Sequence, residues 1–229
     1  MSARNAQDRI IVTLDGPAGV GKSSMARELS EALGIPYLDT GAMFRGVAWK
    51  LGENAWEWDE AWLSQALDTI SFELHGSGAD SGLSLDNVPL GEEIRNERVG
   101  MWASNLAKLP VIREFLKKAQ RDIGERSSLV AEGRDMGSVV FPQATVKFFL
   151  DADVRERARR RYEQLREKNE PADMEELAES IRARDDQDRN RAVAPLRPAE
   201  DAVLVDTTHL NREQVAALLI GTVRERING

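Results

Sequence analysis

A chain of 229 residues can bury one substantial core carrying small appendages, but hardly two full domains. Its formal net charge of -8 argues against a general nucleic-acid binder, which needs surplus Lys and Arg, so any anion must be held by a local basic cluster. The absence of Cys excludes a disulfide framework and thiolate metal sites; Met1 to Arg9 lacks the apolar segment of a secretory signal, and no run approaches the roughly 20 apolar residues of a membrane span, so a cytoplasmic protein without membrane or nucleic-acid partners is expected.

The chain opens with Ile10 to Leu14, a β-branched run that reads as a strand buried on both faces, and passes directly into a glycine-rich turn. Met25, Leu29, Ala32 and Leu33 then recur at helical spacing over Ser24 to Leu33, with Gly34 as a terminator. Pro36 to Asp39 predicts a second strand, and Thr40 to about Lys50 a helix. Trp49, Trp56, Trp58 and Trp62 crowd the next segment and are expected to pack beneath a helix rather than stack on a ligand. From Ile70 to Pro89, alternating Phe72 and Leu74, glycine turns, and then Leu83, Leu85 and Val88 predict a small antiparallel insertion.

Helical periodicity returns over Glu97 to Leu106 and Val111 to Arg126, with Pro110 placed where its missing N–H is harmless. Leu129 to Glu132 and Thr145 to Leu150 read as buried strands separated by the polar turn Gly133-Arg134-Asp135-Met136-Gly137. Arg155 to Glu167 and Met174 to Gln187 are charged helices with too little apolar surface for a core, and they predict a mobile lid. Ala202 to Asp206 is the last predicted strand and Asn211 to Arg226 the closing helix. His75 and His209 show no metal-ligand spacing. Alternating strands and helices imply a parallel sheet covered on both faces, with ligands at the strands' C-terminal edges, where the polar turns fall.

Gly16-Pro17-Ala18-Gly19-Val20-Gly21-Lys22-Ser23 matches G-x-x-x-x-G-K-[ST] between a predicted strand and a predicted helix, the setting this motif requires. Glycines let backbone N–H groups converge on phosphates, Lys22 meets β/γ charge, the Ser23 hydroxyl reaches Mg²⁺, and the helix N-terminus adds a positive dipole end. The donor is therefore expected to be ATP with Mg²⁺. The chain lacks the Asn-Lys-x-Asp segment of guanine-specific switches, and an arginine-rich hairpin suits a kinase, whose lid excludes water from the transfer.

A phosphate acceptor needs no strong base, so positioning and charge neutralisation dominate and arginine is the expected catalytic residue type. Arg45, Arg134, Arg157, Arg160, Arg161, Arg184, Arg189 and Arg191 are the candidates, with a solvated helix face as the alternative for those on the hairpin. Arg134 is the most pointed, since it closes a buried strand. Asp188 either orients an arginine or binds ribose hydroxyls. Glu132 either holds a Mg²⁺-bound water or partners Arg134.

Four stretches resemble bacterial cytidylate kinases of the P-loop nucleoside monophosphate kinase superfamily. They are Asp15 to Ser24, Leu38 to Arg45, Gly133 to Pro142 and Arg184 to Leu196, and the resemblance extends over nearly the whole chain. It implies a three-layer α/β P-loop NTPase fold with a five-stranded parallel sheet, a small β-containing NMP-binding insertion and a helical lid. One kinase domain is expected, with its core at about 8–66, 97–154 and 192–229, the insertion at about 67–96 and the lid at about 155–191. The implied reaction is phosphoryl transfer from Mg·ATP to CMP or dCMP by a monomer.

Gly16, Pro17, Ala18, Gly19, Val20, Gly21, Lys22, Ser23 and Ser24, with Arg157 and Arg161, would hold the donor, and Ser23 the metal. Thr40, Phe44, Arg45, Arg134, Arg184, Asp188 and Arg191 would surround the acceptor's phosphate and sugar. Ser104, Arg113 and Asp135 would read cytosine, whose N4 amino group suits a carboxylate where the O4 of uracil does not. Lys22, Arg134, Arg184 and Arg191 would carry the transfer. The chain departs from the family pattern at Thr40, Phe44 and Gln187, where Ser, Tyr and a basic residue are frequent. Other small acceptors on the same fold, such as UMP, AMP or shikimate, and a non-transferring nucleotide switch remain alternatives.

Overall fold

The computed structural model describes residues 9–228. Eight strands and eight helices follow in chain order: β1 (Ile11–Asp15), α1 (Lys22–Leu33), β2 (Tyr37–Asp39), α2 (Thr40–Leu51), α3 (Glu60–Leu67), β3 (Phe72–His75), β4 (Gly82–Leu85), β5 (Val88–Pro89), α4 (Glu97–Leu106), α5 (Pro110–Arg126), β6 (Leu129–Gly133), β7 (Val146–Asp151), α6 (Val154–Glu167), α7 (Met174–Asn190), β8 (Val203–Asp206) and α8 (Arg212–Asn228). A five-stranded sheet in the order β2-β6-β1-β7-β8 forms the middle layer of a three-layer α/β P-loop fold, and β3-β4-β5 form a separate three-stranded sheet. The chain divides into two compact units, residues 9–11 with 30–132 and residues 12–29 with 133–228.

In the first unit, β2 and β6 run parallel with Leu38 opposite Ala131, both fully buried, as near-continuous apolar strands covered on both faces should be. The small sheet is antiparallel, with Phe72 opposite Leu85 and Leu85 opposite Val88, as the alternation over Ile70 to Pro89 predicts. The tryptophans differ from expectation. Trp49 and Trp58 are exposed, and Trp62 is 66% exposed, because α3 packs through Leu63 and Leu67 and a residue one position before Leu63 points outward.

In the second unit, β7 pairs in parallel with β1, Val12 opposite Val146, and with β8, Phe149 opposite Leu204. α6 and α7 form the charged hairpin, and their seam is a small apolar core of Ala158, Ala178 and Ile181 flanked by Val154, Met174 and Leu177. That apolar surface is greater than the sequence suggests, because alanine supplies much of it among charged neighbours.

The base of the hairpin is held by an ion pair. Arg157 on α6 is 1% exposed, and its guanidinium donates to Ala152 O at 3.0 Å, to Ala18 O at 3.0 Å and to both carboxylate oxygens of Asp185 on α7 at 3.1 and 2.5 Å. Removing one member of such a pair leaves a buried charge without compensation. Asp185→Ala is therefore expected to lower folding stability by roughly 3–5 kcal/mol. Replacing both residues together, Arg157→Met with Asp185→Leu, is expected to recover most of the loss. Thermal unfolding followed by circular dichroism checks both, and a single variant melting within a degree of the parent contradicts the assignment.

Candidate active site

The second unit carries the phosphate loop. β1 delivers the chain into Gly16, Gly19 and Gly21, all at positive φ, and α1 begins immediately afterwards at Lys22. Gly16 has a second reason to lack a side chain: a Cβ there would lie 2.1 Å from the carbonyl oxygen of Leu150, so the loop passes directly over the end of β7. Nothing lies within 4 Å of the place a Cβ of Gly21 would take.

Lys22 is buried and its ammonium donates to Pro17 O at 2.7 Å, while Ser23 and Ser24 are exposed on the first turn of α1. An open glycine cradle at a helix start, with a lysine beneath it, fits a nucleotide's phosphates. Among the described residues no group of three or more His, Cys, Asp or Glu could cage a metal. The Ser23 hydroxyl, exposed beside the cradle, is a hard oxygen of the kind that suits Mg²⁺.

Beyond β6, the turn after Gly133 winds into a single π-helical turn, Met136–Val140. Such turns are rare and concentrate at functional sites. Here Arg134 donates from Nε to Asp188 at 2.7 Å, Arg191 lies 3.9 Å from the other Asp188 oxygen, and Arg191 donates to Asp135 at 3.4 Å. Residues far apart in the chain, from the turn after β6 and the end of α7, thus form one chain of alternating charge, Arg134–Asp188–Arg191–Asp135. All four side chains are at least four-fifths buried. Asp188 thus pairs with Arg134 and lies beside Arg191.

Arg184 and Gln187 are exposed on α7, and Arg161 is exposed on α6. Arg157, one helical turn before Arg161, faces inward and meets the phosphate loop at the Ala18 carbonyl.

The first unit carries the remaining candidates. Asp39 caps α2 by accepting the Ala42 N–H at 2.8 Å, which places Thr40, Phe44 and Arg45 on the first two turns. The Thr40 hydroxyl donates to Glu132 O at 2.6 Å, and Arg45 folds back so that a Cβ on Gly41 would meet its guanidinium at 3.4 Å. Arg113 on α5 is buried and sits 5.8 Å from the centre of the Phe44 ring, a cation–π contact. Ser104 is half-buried on α4. The Glu132 carboxylate accepts from the Tyr37 hydroxyl.

Sequence reasoning overlooked Asp15. This last residue of β1 is 3% exposed, and its two oxygens accept the N–H groups of Met136 at 2.8 Å and Gly137 at 2.7 Å. Burial pushes its carboxyl up to about 6, assisted by the charge of Asp135 and opposed by the two N–H donors and Lys22. The native carboxyl thus keeps its proton to higher pH than the unfolded one. Between the unfolded value of 3.8 and about 6 the folded state binds more protons, so the contribution of Asp15 to stability falls as pH rises through that window. Its placement next to the glycine motif was the available signal, but an acid ending a strand has no distinctive spacing.

The cytidylate kinase family model matches residues 12–225. The cytidylate kinase of Maridesulfovibrio salexigens is 62% identical over 218 residues, covering 95% of this chain and 98% of that protein. That of Oleidesulfovibrio alaskensis is 54% identical over 217 residues, covering 95% and 99%. The fold is similar to that of TT1252 from Thermus thermophilus, with a TM-score of 0.50 at 18% identity over 96% of this chain and 99% of that one. An uncharacterized protein from Eubacterium ventriosum gives a TM-score of 0.52 at 14% identity, covering 95% and 99%. With its glycine cradle, its paired arginines and a match spanning nearly its whole length, the chain belongs to the cytidylate kinase family.

Proposed function

We propose that this chain transfers the γ-phosphoryl group of ATP to CMP or dCMP, and that the alternating chain Arg134–Asp188–Arg191–Asp135 is its acceptor-side machinery. The observation that carries this reading is the burial of two guanidinium groups and two carboxylates in one series of ion pairs, within the unit that also holds the phosphate loop. An oxygen of the acceptor's phosphate forms the new bond to the γ-phosphorus as the bond to the β-phosphate oxygen breaks, and ADP departs with that electron pair. The acceptor oxygen is already ionised near neutral pH, so the residues supply charge and alignment rather than a base.

In the second unit, residues 16–24 bind the donor, with Lys22 on its terminal phosphates and Arg161 assisting from α6. Arg157 acts on the donor through the loop, by holding the Ala18 carbonyl. The Ser23 hydroxyl would hold Mg²⁺, which would supply charge neutralisation to the donor's phosphates. Arg134, Arg184 and Arg191 neutralise the transferring and acceptor phosphates, and Asp188 holds Arg134 and Arg191 in place while meeting the sugar. Asp135 accepts from the cytosine amino group.

In the first unit, Thr40, Phe44 and Arg45 serve the acceptor, and Ser104 and Arg113 the base. The cation–π contact of Arg113 with Phe44 makes a ring at residue 44 useful without a hydroxyl. The hairpin of residues 155–191 is the lid, 67–96 the acceptor-side insertion, and the whole a monomeric kinase domain working in the cytoplasm, where both nucleotides occur. Among the described residues no helix is long and apolar enough to cross a membrane.

Mg²⁺-dependent ADP formation from ATP, measured with CMP, dCMP, UMP, AMP and no acceptor, is expected to show strong turnover with CMP and dCMP and little with the rest. Preferred turnover of another acceptor would discard the cytosine assignment, and acceptor-independent hydrolysis would favour a switch. Asp135→Ala is expected to lower kcat/KM for CMP about 100-fold, as loss of a charged hydrogen bond allows, with little change in ATP affinity by equilibrium binding.

A further inference from the structure

β1 ends on Asp15, a carboxylate that is almost completely buried, whereas the Asp residues that end β2, β7 and β8 are partly or fully accessible. The two amides that Asp15 accepts, Met136 and Gly137, are the first of the π-helical turn, where backbone N–H groups have no acceptor within the turn. They follow Arg134 and Asp135 directly, so the bonds fall on the backbone immediately after those side chains.

The fit around this contact is close. A Cβ on Gly137 would lie 2.9 Å from the Thr13 hydroxyl oxygen and 3.2 Å from Cδ of Lys147, so the turn is pressed against β1 and β7. The Val139 and Val140 N–H groups return to Asp135 O at 2.9 and 3.1 Å, and Asp135 itself has φ -144° and ψ 23°, outside the regular regions. A turn of this shape needs an acceptor for each leading amide, and a carboxylate supplies two from a single residue.

We propose that Asp15 is a positioning residue for the acceptor side of the reaction: its two carboxylate oxygens clamp the Met136 and Gly137 amides and thereby fix the backbone that presents Arg134 and Asp135. This rests on the reading of those two residues as acceptor-binding. Asp15 touches no substrate itself. Because it immediately precedes Gly16, the same residue sets the acceptor turn in register with the start of the phosphate loop. Asparagine cannot replace it, since its amide nitrogen would face one of the two N–H groups donor to donor.

The test compares the full-length parent with Asp15→Asn by kinetics and by ¹H–¹⁵N spectroscopy without substrate. The variant is expected to raise KM for CMP about 10-fold or more while KM for ATP moves by less than about 3-fold, a split that general destabilisation does not produce. In the parent, the Met136 and Gly137 amide resonances are expected to shift together with a midpoint near pH 6, and this titration disappears in the variant. Asp135 and Lys22 are the other charges acting on Asp15, so Asp135→Ala is titrated alongside: a midpoint that persists, displaced downward, assigns the titration to Asp15. Amides that do not titrate overturn the proposal, as does a parallel rise in both KM values. If the variant does not fold, the parent's titration decides alone. A parent that ignores CMP defeats the acceptor assignment instead, and its amides still report whether the clamp exists.

Discussion

A guanidinium removed from water must find protein acceptors for its donors, and Arg157 finds them on three segments that are remote in sequence. It bonds to the phosphate loop at Ala18, to the end of the β7–α6 connection at Ala152 and to α7 at Asp185. Each bond is directional, so the positions of the three segments are fixed against one another to within hydrogen-bond tolerance. The phosphate loop is glycine-rich, and the bond from Arg157 to the Ala18 carbonyl restrains it from outside. Gly19 is required for its backbone rather than for space: a Cβ there would make ordinary contact, 3.5 Å from Cβ of Arg157, but φ is positive. The buried seam of Ala158, Ala178 and Ile181 adds an apolar tie between α6 and α7 to this ion pair.

The chain of charge from Arg134 to Asp135 follows a related logic. Two arginines alone in a largely buried site would repel one another and lose orientation, whereas Asp188 between them fixes both and Asp135 engages the second. The carboxylates weaken the net positive potential available to an anion. In return the guanidinium planes are set before a ligand arrives, which lowers the reorganisation that charge transfer would otherwise demand. Arg184 is exposed on α7, the helix that supplies Asp188.

What could be read from the chain itself was whatever local geometry dictates. The phosphate loop is legible because glycine adopts positive φ at little cost and alone allows the 2.1 Å approach at Gly16, and the helices are legible because their apolar residues recur at 3.6-residue spacing. The three-stranded sheet is legible from alternation. Arg157 was not legible as a buried residue: it sits in the run Arg155-Glu156-Arg157-Ala158-Arg159-Arg160-Arg161, where composition makes every arginine look solvated, and only the packing of α6 distinguishes its inward face. Trp62 misled in the opposite sense, since its size suggests burial and its helical phase denies it. Asp188 could be narrowed to two roles from charge density, but which arginine it meets, one 54 residues away, could not be read from the chain.

Asp15 shows why such residues escape a reading by pattern. A buried carboxylate with its proton held to about pH 6 is charged at neutral pH at the expense of stability, so folding alone does not favour it. A neutral side chain of similar size would avoid that penalty, yet would leave a leading amide of the π-helical turn unsatisfied. What the charge secures is the shape of one turn, and that turn carries two members of the alternating series. The clearest mark of its role is thus the conflict itself: a group unfavourable to the fold is kept where it holds the backbone beneath Arg134 and Asp135, at the strand end from which the phosphate loop departs.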